Sequence, residues 1–132
     1  MRLELITRSN LHLVDSLMIK RGLTPVEDRE IPELGVLITY KSVPIVAGFL
    51  RKVEGGFGIF DGYITNPEAS SEKRNDALDL LTVELLRLAK EEHILGVFFN
   101  THKPNIIKRA ALHGFKLADE VMMYRGVTLW DS

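Results

Sequence analysis

The chain has 132 residues, no cysteine and a formal net charge of -1, with acidic and basic residues nearly balanced. That length suits a single domain over residues 1–132, able to bury roughly two-thirds of its unfolded surface without a disulfide or metal staple. The absence of cysteine excludes a disulfide framework, a thiolate metal site and a cysteine nucleophile and suits a reducing, cytoplasmic setting, while the balanced charge gives no basic field to draw the chain onto nucleic acid or anionic lipid.

The opening MRLELITR alternates charged and apolar residues, so neither a signal peptide nor a membrane span is read there, and no later run is apolar enough to supply one. Arg2 to Thr7 reads as a strand. Ser9 or Asn10 then caps a helix carrying Leu11, Val14, Leu17 and Met18 at helical spacing, with Gly22 as its stop. Leu23 to Leu34 holds Pro25, Pro32 and the run Glu27-Asp28-Arg29-Glu30, the composition of an irregular surface loop.

From Gly35 the period becomes that of strands. Val36 to Tyr40, a turn around Ser42, Val43 and Pro44, and Ile45 to Lys52 predict a hairpin. Glu54-Gly55-Gly56 leads to a third strand, Phe57 to Thr65, and connections this short make the three an antiparallel meander. Gly48, Gly58 and Gly62 mark bulges or close approaches of another backbone.

Ser70 or Ser71 caps the strongest helix, from about Glu72 to Glu92, with Ala77, Leu78, Leu81, Leu85, Leu88 and Ala89 on one face. Ile94 to Asn100 reads as an apolar strand of the kind covered on both sides, parallel to its predecessor because the long helix supplies a crossover. Pro104 opens a further helix that ends at Gly114, and Phe115 to Leu117 and Val121 to Arg125 make a last pair of strands. The order is β-α-β-β-β-α-β-α-β-β.

That order resembles the GNAT superfamily of N-acetyltransferases over almost the whole chain. The local pieces that carry the resemblance are the Tyr63-Ile64-Thr65-Asn66-Pro67 strand exit before the long helix, the apolar strand to Asn100, and the ending Leu112-His113-Gly114-Phe115 followed by Val121 to Arg125. The fold implied is α/β, with a mixed, mostly antiparallel central sheet and helices on both faces. The activity implied is direct transfer of an acetyl group from acetyl-CoA to an amine of an unidentified acceptor.

In the superfamily, the fourth strand and the helix after it hold the pantetheine and pyrophosphate. Here those positions are Tyr63, Ile64 and Thr65, then Ser71, Lys73, Arg74, Asn75 and Ala77. The usual Arg/Gln-x-x-Gly-x-Gly/Ala loop has no glycine in this chain; the best register sets Arg74 at its basic position and Ala77 at its first glycine. A pyrophosphate needs inward-pointing N–H groups at a helix N-terminus, and Lys73 and Arg74, mildly unfavourable to the dipole there, suit an anionic ligand. Asn100, Asn105 and Lys108 lie where the second binding helix begins, although Lys103, Lys108 and Arg109 also read as its exposed face.

The family's strand glutamate and helix tyrosine are replaced by Ile59 and Ala110. Asp61, two residues along on the same strand face, is the nearest base; a strand carboxylate more often faces solvent or pairs with a basic neighbour. Tyr124 and His113 are candidate proton donors, and a half-buried strand aromatic is the plainer reading of Tyr124. His12, His93, His102 and His113 are scattered with no i, i+4 pair, so no metal is expected. Gly55-Gly56-x-Gly58 belongs to a hairpin turn.

The short Leu23 to Leu34 region implies either an open groove for a polypeptide or a site completed by a second subunit, that is, a homodimer. The alternative reading is a GNAT-like binding or interaction protein without transfer activity. A nucleic-acid-binding role has only Lys103 to Arg109 in its favour.

Overall fold

The computed structural model describes residues 1–25, 31–101 and 103–118. Four strands fall where the β-branched and aromatic runs of the sequence place them. β1 (Arg2–Leu5), β2 (Leu34–Tyr40), β3 (Val43–Val53) and β4 (Phe57–Thr65) pair antiparallel in chain order, and β5 (Gly96–Phe98) joins β4 in parallel. A parallel neighbour needs a long crossover. The helix α2 (Ser71–Glu91) supplies it.

Two helices cover the sheet. Leu11, Val14 and Leu17 of α1 (Leu11–Lys20) meet Leu37, Ala47, Phe49 and Ile64 in one core. The α2 stripe Ala77, Leu81, Leu85, Leu88 and Ala89 is buried, and the helix packs over β2, β3 and β4. Thus β2 and β3 are the strands covered on both faces, with Val36, Leu37 and Ile38 all fully buried. The expectation of two-sided burial for Ile94 to Asn100 is corrected. Among the described residues β5 is a three-residue strand at the sheet edge, with Leu95 84% and Phe98 53% exposed, because α1 and α2 are centred on β2–β4.

Three local expectations also change. Asn10 precedes α1 but makes no capping bond to it; its side chain accepts from Thr7 N–H (2.8 Å) and donates to the Leu5 carbonyl (2.9 Å), closing the turn out of β1. The β2–β3 turn is Lys41–Ser42, both at positive φ, so Val43 and Pro44 already belong to β3. Phe115 to Leu117 takes no strand conformation, and Val121 to Arg125 lies outside the described residues.

The glycine reading of β3 and β4 holds: a methyl group at Gly58 would lie 3.2 Å from the Arg51 carbonyl oxygen, and Gly48 and Gly62 form a bulge. Phe49 faces Asp61 and Ala47 faces Ile64, so Gly62 and Tyr63 together oppose Gly48, and Gly62 takes φ +65°. This bulge shifts the alternation by one residue. Ile64 thereby enters the α1 core, whereas Tyr63 turns to the other side, against Gly48.

By contact density, Met1–Thr101 form one unit and His102–Ser132 a second. In the second, α3 (Pro104–Leu112) has Pro104 at its first turn, no buried residue, and Gly114 at φ +87° just beyond its end, as the sequence indicates.

Candidate cofactor site

The β4–β5 ladder is short. It pairs Phe57 with Gly96, Gly58 with Val97 and Ile59 with Phe98, and there it stops, while β4 runs on for six residues to Thr65. Among the described residues, Tyr63–Thr65 have a ladder neighbour only on the β3 side. That stretch of main chain leads through 66–70 into the N-terminus of α2.

The connecting loop is tightly held. Asn66 is 2% exposed; its Nδ2 donates to the Pro44 carbonyl (3.0 Å), its Oδ1 accepts from Glu68 N–H (2.9 Å), and its own N–H donates to the Ile45 carbonyl (2.8 Å). Arg21, at the end of α1, donates from Nε to the Thr65 carbonyl (3.0 Å) and from Nη2 to the Thr65 hydroxyl. Lys20 adds an ion pair to Glu68 at 2.8 Å. The sequence singles out the Thr65-Asn66-Pro67 exit, but the roles of Asn66 and Arg21 depend on partners 22 and 44 residues away.

At the helix start, Ser70 is the cap: its hydroxyl accepts from Lys73 N–H at 3.2 Å and its carbonyl from Arg74 N–H at 2.9 Å. The amides of Ser71 and Glu72 remain as the outward donors of the first turn. Lys73 Nζ lies 4.2 Å from the centre of the Tyr40 ring, and Arg74 Nη1 donates to the Pro67 carbonyl at 3.1 Å. These two contacts offset the cost of placing cations at the positive end of a helix dipole. One Arg74 donor is used on the loop and the guanidinium has four more.

Strand edge, first-turn amides and the Lys73–Arg74 pair fit an elongated ligand with amides along one part and phosphates at its end. Ala77 does not belong to that surface. It is fully buried, seven residues into α2, with its methyl in the core rather than beside the open amides. Asn75 is exposed on the first turns of the same helix, and Ser71 is exposed at its start. Ile64 is committed to the α1 core. Tyr63 is half-buried with its hydroxyl fully buried, its ring stacked on Phe60 (5.9 Å between centroids) and tilted against Phe99 (5.5 Å), so its side chain is engaged with aromatic neighbours. Burial pushes its phenol well above the usual tyrosine range, with Thr82 opposing that rise.

Asp61 is paired with Arg51 of the neighbouring strand, both side chains about half exposed. A role as base therefore requires that ion pair to open. Asn100 is exposed just beyond β5. In the second unit, Asn105 and Lys108 are exposed on α3, and His113 is half-buried at its C-terminal end. Tyr124 lies outside the described residues. Among the described residues no group of three or more His, Asp or Glu is placed to hold a metal, and no helix is long and apolar enough to cross a membrane.

No family model and no curated protein matches this sequence. Solved structures do match. A Thermus thermophilus protein is similar over 97% of this chain and 98% of its own, at 17% identity and a TM-score of 0.76. The ribosomal-protein-S18-alanine N-acetyltransferase of Escherichia coli is similar over 89% of this chain and 78% of its own, at 11% identity and a TM-score of 0.71. AAC(6')-Iy, solved with the bisubstrate analogue CoA-S-monomethyl-acetylneamine, is similar over 96% and 98% of the two chains, at 14% identity and a TM-score of 0.71. Identity this low speaks to architecture alone, and on architecture the strand order, the β4–β5 opening and these likenesses agree: the chain has the fold of the GNAT superfamily of N-acetyltransferases.

Proposed function

We propose that the protein is an acetyl-CoA-dependent N-acetyltransferase that passes an acetyl group directly to an amine of its acceptor. The observation that carries this reading is the β4 main chain, open beyond Ile59 and running straight into the first turn of α2. When bound, acetyl-CoA supplies a thioester whose C–S bond breaks as the C–N bond to the amine forms, the amine losing a proton and the sulfur gaining one. The outward main-chain groups of Tyr63 and the Thr65 N–H meet the pantetheine amides, the Thr65 carbonyl being held by Arg21; the Ser71 and Glu72 N–H groups meet the pyrophosphate, and Lys73 and Arg74 add positive charge. Asp61, freed from Arg51, is the base, and His113 or Tyr124 the proton donor.

A second reading, a GNAT-like binding protein without transfer activity, draws support from the Arg51–Asp61 ion pair and from the burial of Ala77. Titration with acetyl-CoA by calorimetry, with dephospho-CoA as control, tests the cofactor. Binding is expected, weakened in Arg74→Glu, and a flat isotherm at millimolar ligand would overturn it. Given binding, thiol release with a panel of amines separates the two readings. An Asp61→Asn variant as active as the parent clears Asp61 of the base role.

A further inference from the structure

The outer edge of β1 has no neighbour among the described residues; the strand is short and carries Arg2 and Glu4 on one face, but its other face is apolar and bare. Met1, Leu3 and Leu5 are exposed by 45, 41 and 57%. Leu3 and Leu5 face Ile38 and Val36 across the ladder, on the sheet face opposite Leu37 and α1. On that face α2 packs over β2, β3 and β4 and leaves the β1 leucines bare.

The backbone is poised in the same way. Ile6 N–H donates to the Gly35 carbonyl at 2.9 Å, continuing the register in which Glu4 faces Leu37 and Arg2 faces Thr39. Antiparallel ladders alternate, so the peptide groups of Arg2 and Glu4 bond to β2 and those of Leu3 and Leu5 point outward. The outward Leu5 carbonyl is already taken by Asn10 Nδ2.

We infer that β1 is a homotypic interface, pairing antiparallel with β1 of a second copy about a two-fold axis at Leu3. In that register Leu3 faces Leu3 and the two exchange both main-chain hydrogen bonds. Leu5 faces Met1 of the other copy and donates its N–H to the Met1 carbonyl, a bond that leaves the Asn10-capped carbonyl of Leu5 undisturbed. On the opposite face Arg2 of each copy, which pairs with Glu4 of its own strand at 3.3 Å, also stands across from Glu4 of the other, so the four charges alternate in sign. The next register of the same parity sets Glu4 against Glu4 and directs the Leu3 N–H at the occupied Leu5 carbonyl, so like charge and a missing acceptor both oppose it. The segment Met1-Arg2-Leu3-Glu4-Leu5 thus complements itself, which favours a closed two-fold dimer over open-ended stacking.

Sedimentation equilibrium of a chain carrying no N-terminal fusion tests this. A reversible dimer is expected. Arg2→Glu or Glu4→Arg alone sets like charges across the two-fold twice and raises the dissociation constant about tenfold or more, and the double reversal restores it. Leu3→Pro removes an outward donor without touching a bond to β2, and yields monomer. Circular dichroism confirms that each variant is folded; should Leu3→Pro fail that check, the charge-reversal series decides alone. A chain that stays monomeric to high micromolar concentration, or a dimer indifferent to the single reversals, overturns the inference.

Discussion

Arg21 donates from Nε to the main-chain carbonyl of Thr65 at 3.0 Å, so the residue that ends α1 holds the residue that ends β4. Both groups are near the surface, which limits the energy, yet the bond fixes where the open edge of β4 turns towards α2. Arg21→Ala is expected to cost about 1 kcal/mol and lower the melting temperature by roughly 3–6 °C. Arg21→Lys recovers little of this, because one ammonium cannot reproduce the bond to the carbonyl and the bond to the Thr65 hydroxyl together. Thermal melting of the two variants side by side checks it.

Asn66 is the buried counterpart of that surface tie. Asn66→Ala strands the Pro44 carbonyl and the Glu68 N–H, and is expected to destabilise by about 2–3 kcal/mol in urea unfolding. Asn66→Asp keeps the acceptor for Glu68 but sets a carboxylate against the Pro44 carbonyl. It should be no better than alanine at neutral pH.

Gly62 has φ +65°, and a methyl group added to its α-carbon would lie 2.9 Å from Phe49 Cδ2. Gly62→Ala is expected to cost roughly 1–3 kcal/mol, from a left-handed backbone and a displaced core ring together. Gly55→Ala serves as the comparison: it too has positive φ but meets nothing within 4 Å, so only the backbone part, about 1 kcal/mol, should appear. The difference between the two denaturation midpoints measures the contact with Phe49.

Tyr63 offers a pH test. Its hydroxyl is buried and makes no hydrogen bond, and the nearby Thr82 hydroxyl, which opposes the rise, spends its own proton on the Leu78 carbonyl at 2.8 Å. Burial raises the folded-state pKa above the unfolded value near 10. Above about pH 10 the unfolded chain therefore binds fewer protons than the folded one, and stability is lost as pH rises. Tyr63→Phe is expected to remove that alkaline loss and to be neutral or stabilising by up to about 1 kcal/mol at pH 7, since the polar group it deletes is unsatisfied. Unfolding curves at pH 7 and about pH 10.5 for both proteins decide it.

Much of the fold can be read from the sequence because the pattern is local. Phe57 to Thr65 is rich in aromatic and β-branched residues and is a strand; Ala77, Leu81, Leu85 and Leu88 recur at helical spacing and form the buried stripe of α2. Ser70 caps that helix with its own side chain, the contact its residue type favours at that position. Even the bulge has a local signal, because Gly48 and Gly62 are the residues that permit it.

The candidate site was less legible. Lys73 and Arg74 are visible as cations at a helix start, but nothing near them in sequence tells that one rests on Tyr40 and the other on Pro67. Asp61 reads as a strand carboxylate, and only the cross-strand register brings Arg51 to it. Ala77 looks like a substitute for a binding-loop glycine. Its burial follows from the depth of α2 at which it falls, which is set by where Ser70 starts the helix.

By itself, then, the sequence determined the elements, their order and the glycines that bend them, since these depend on side-chain period and backbone freedom within a few residues. Tertiary structure alone decided which strands are covered on both faces, that β5 leaves β4 after three pairs, and that Arg21 and Asn66 hold the turn into α2. Each of those outcomes depends on groups tens of residues apart meeting in space, and no local period records such a meeting.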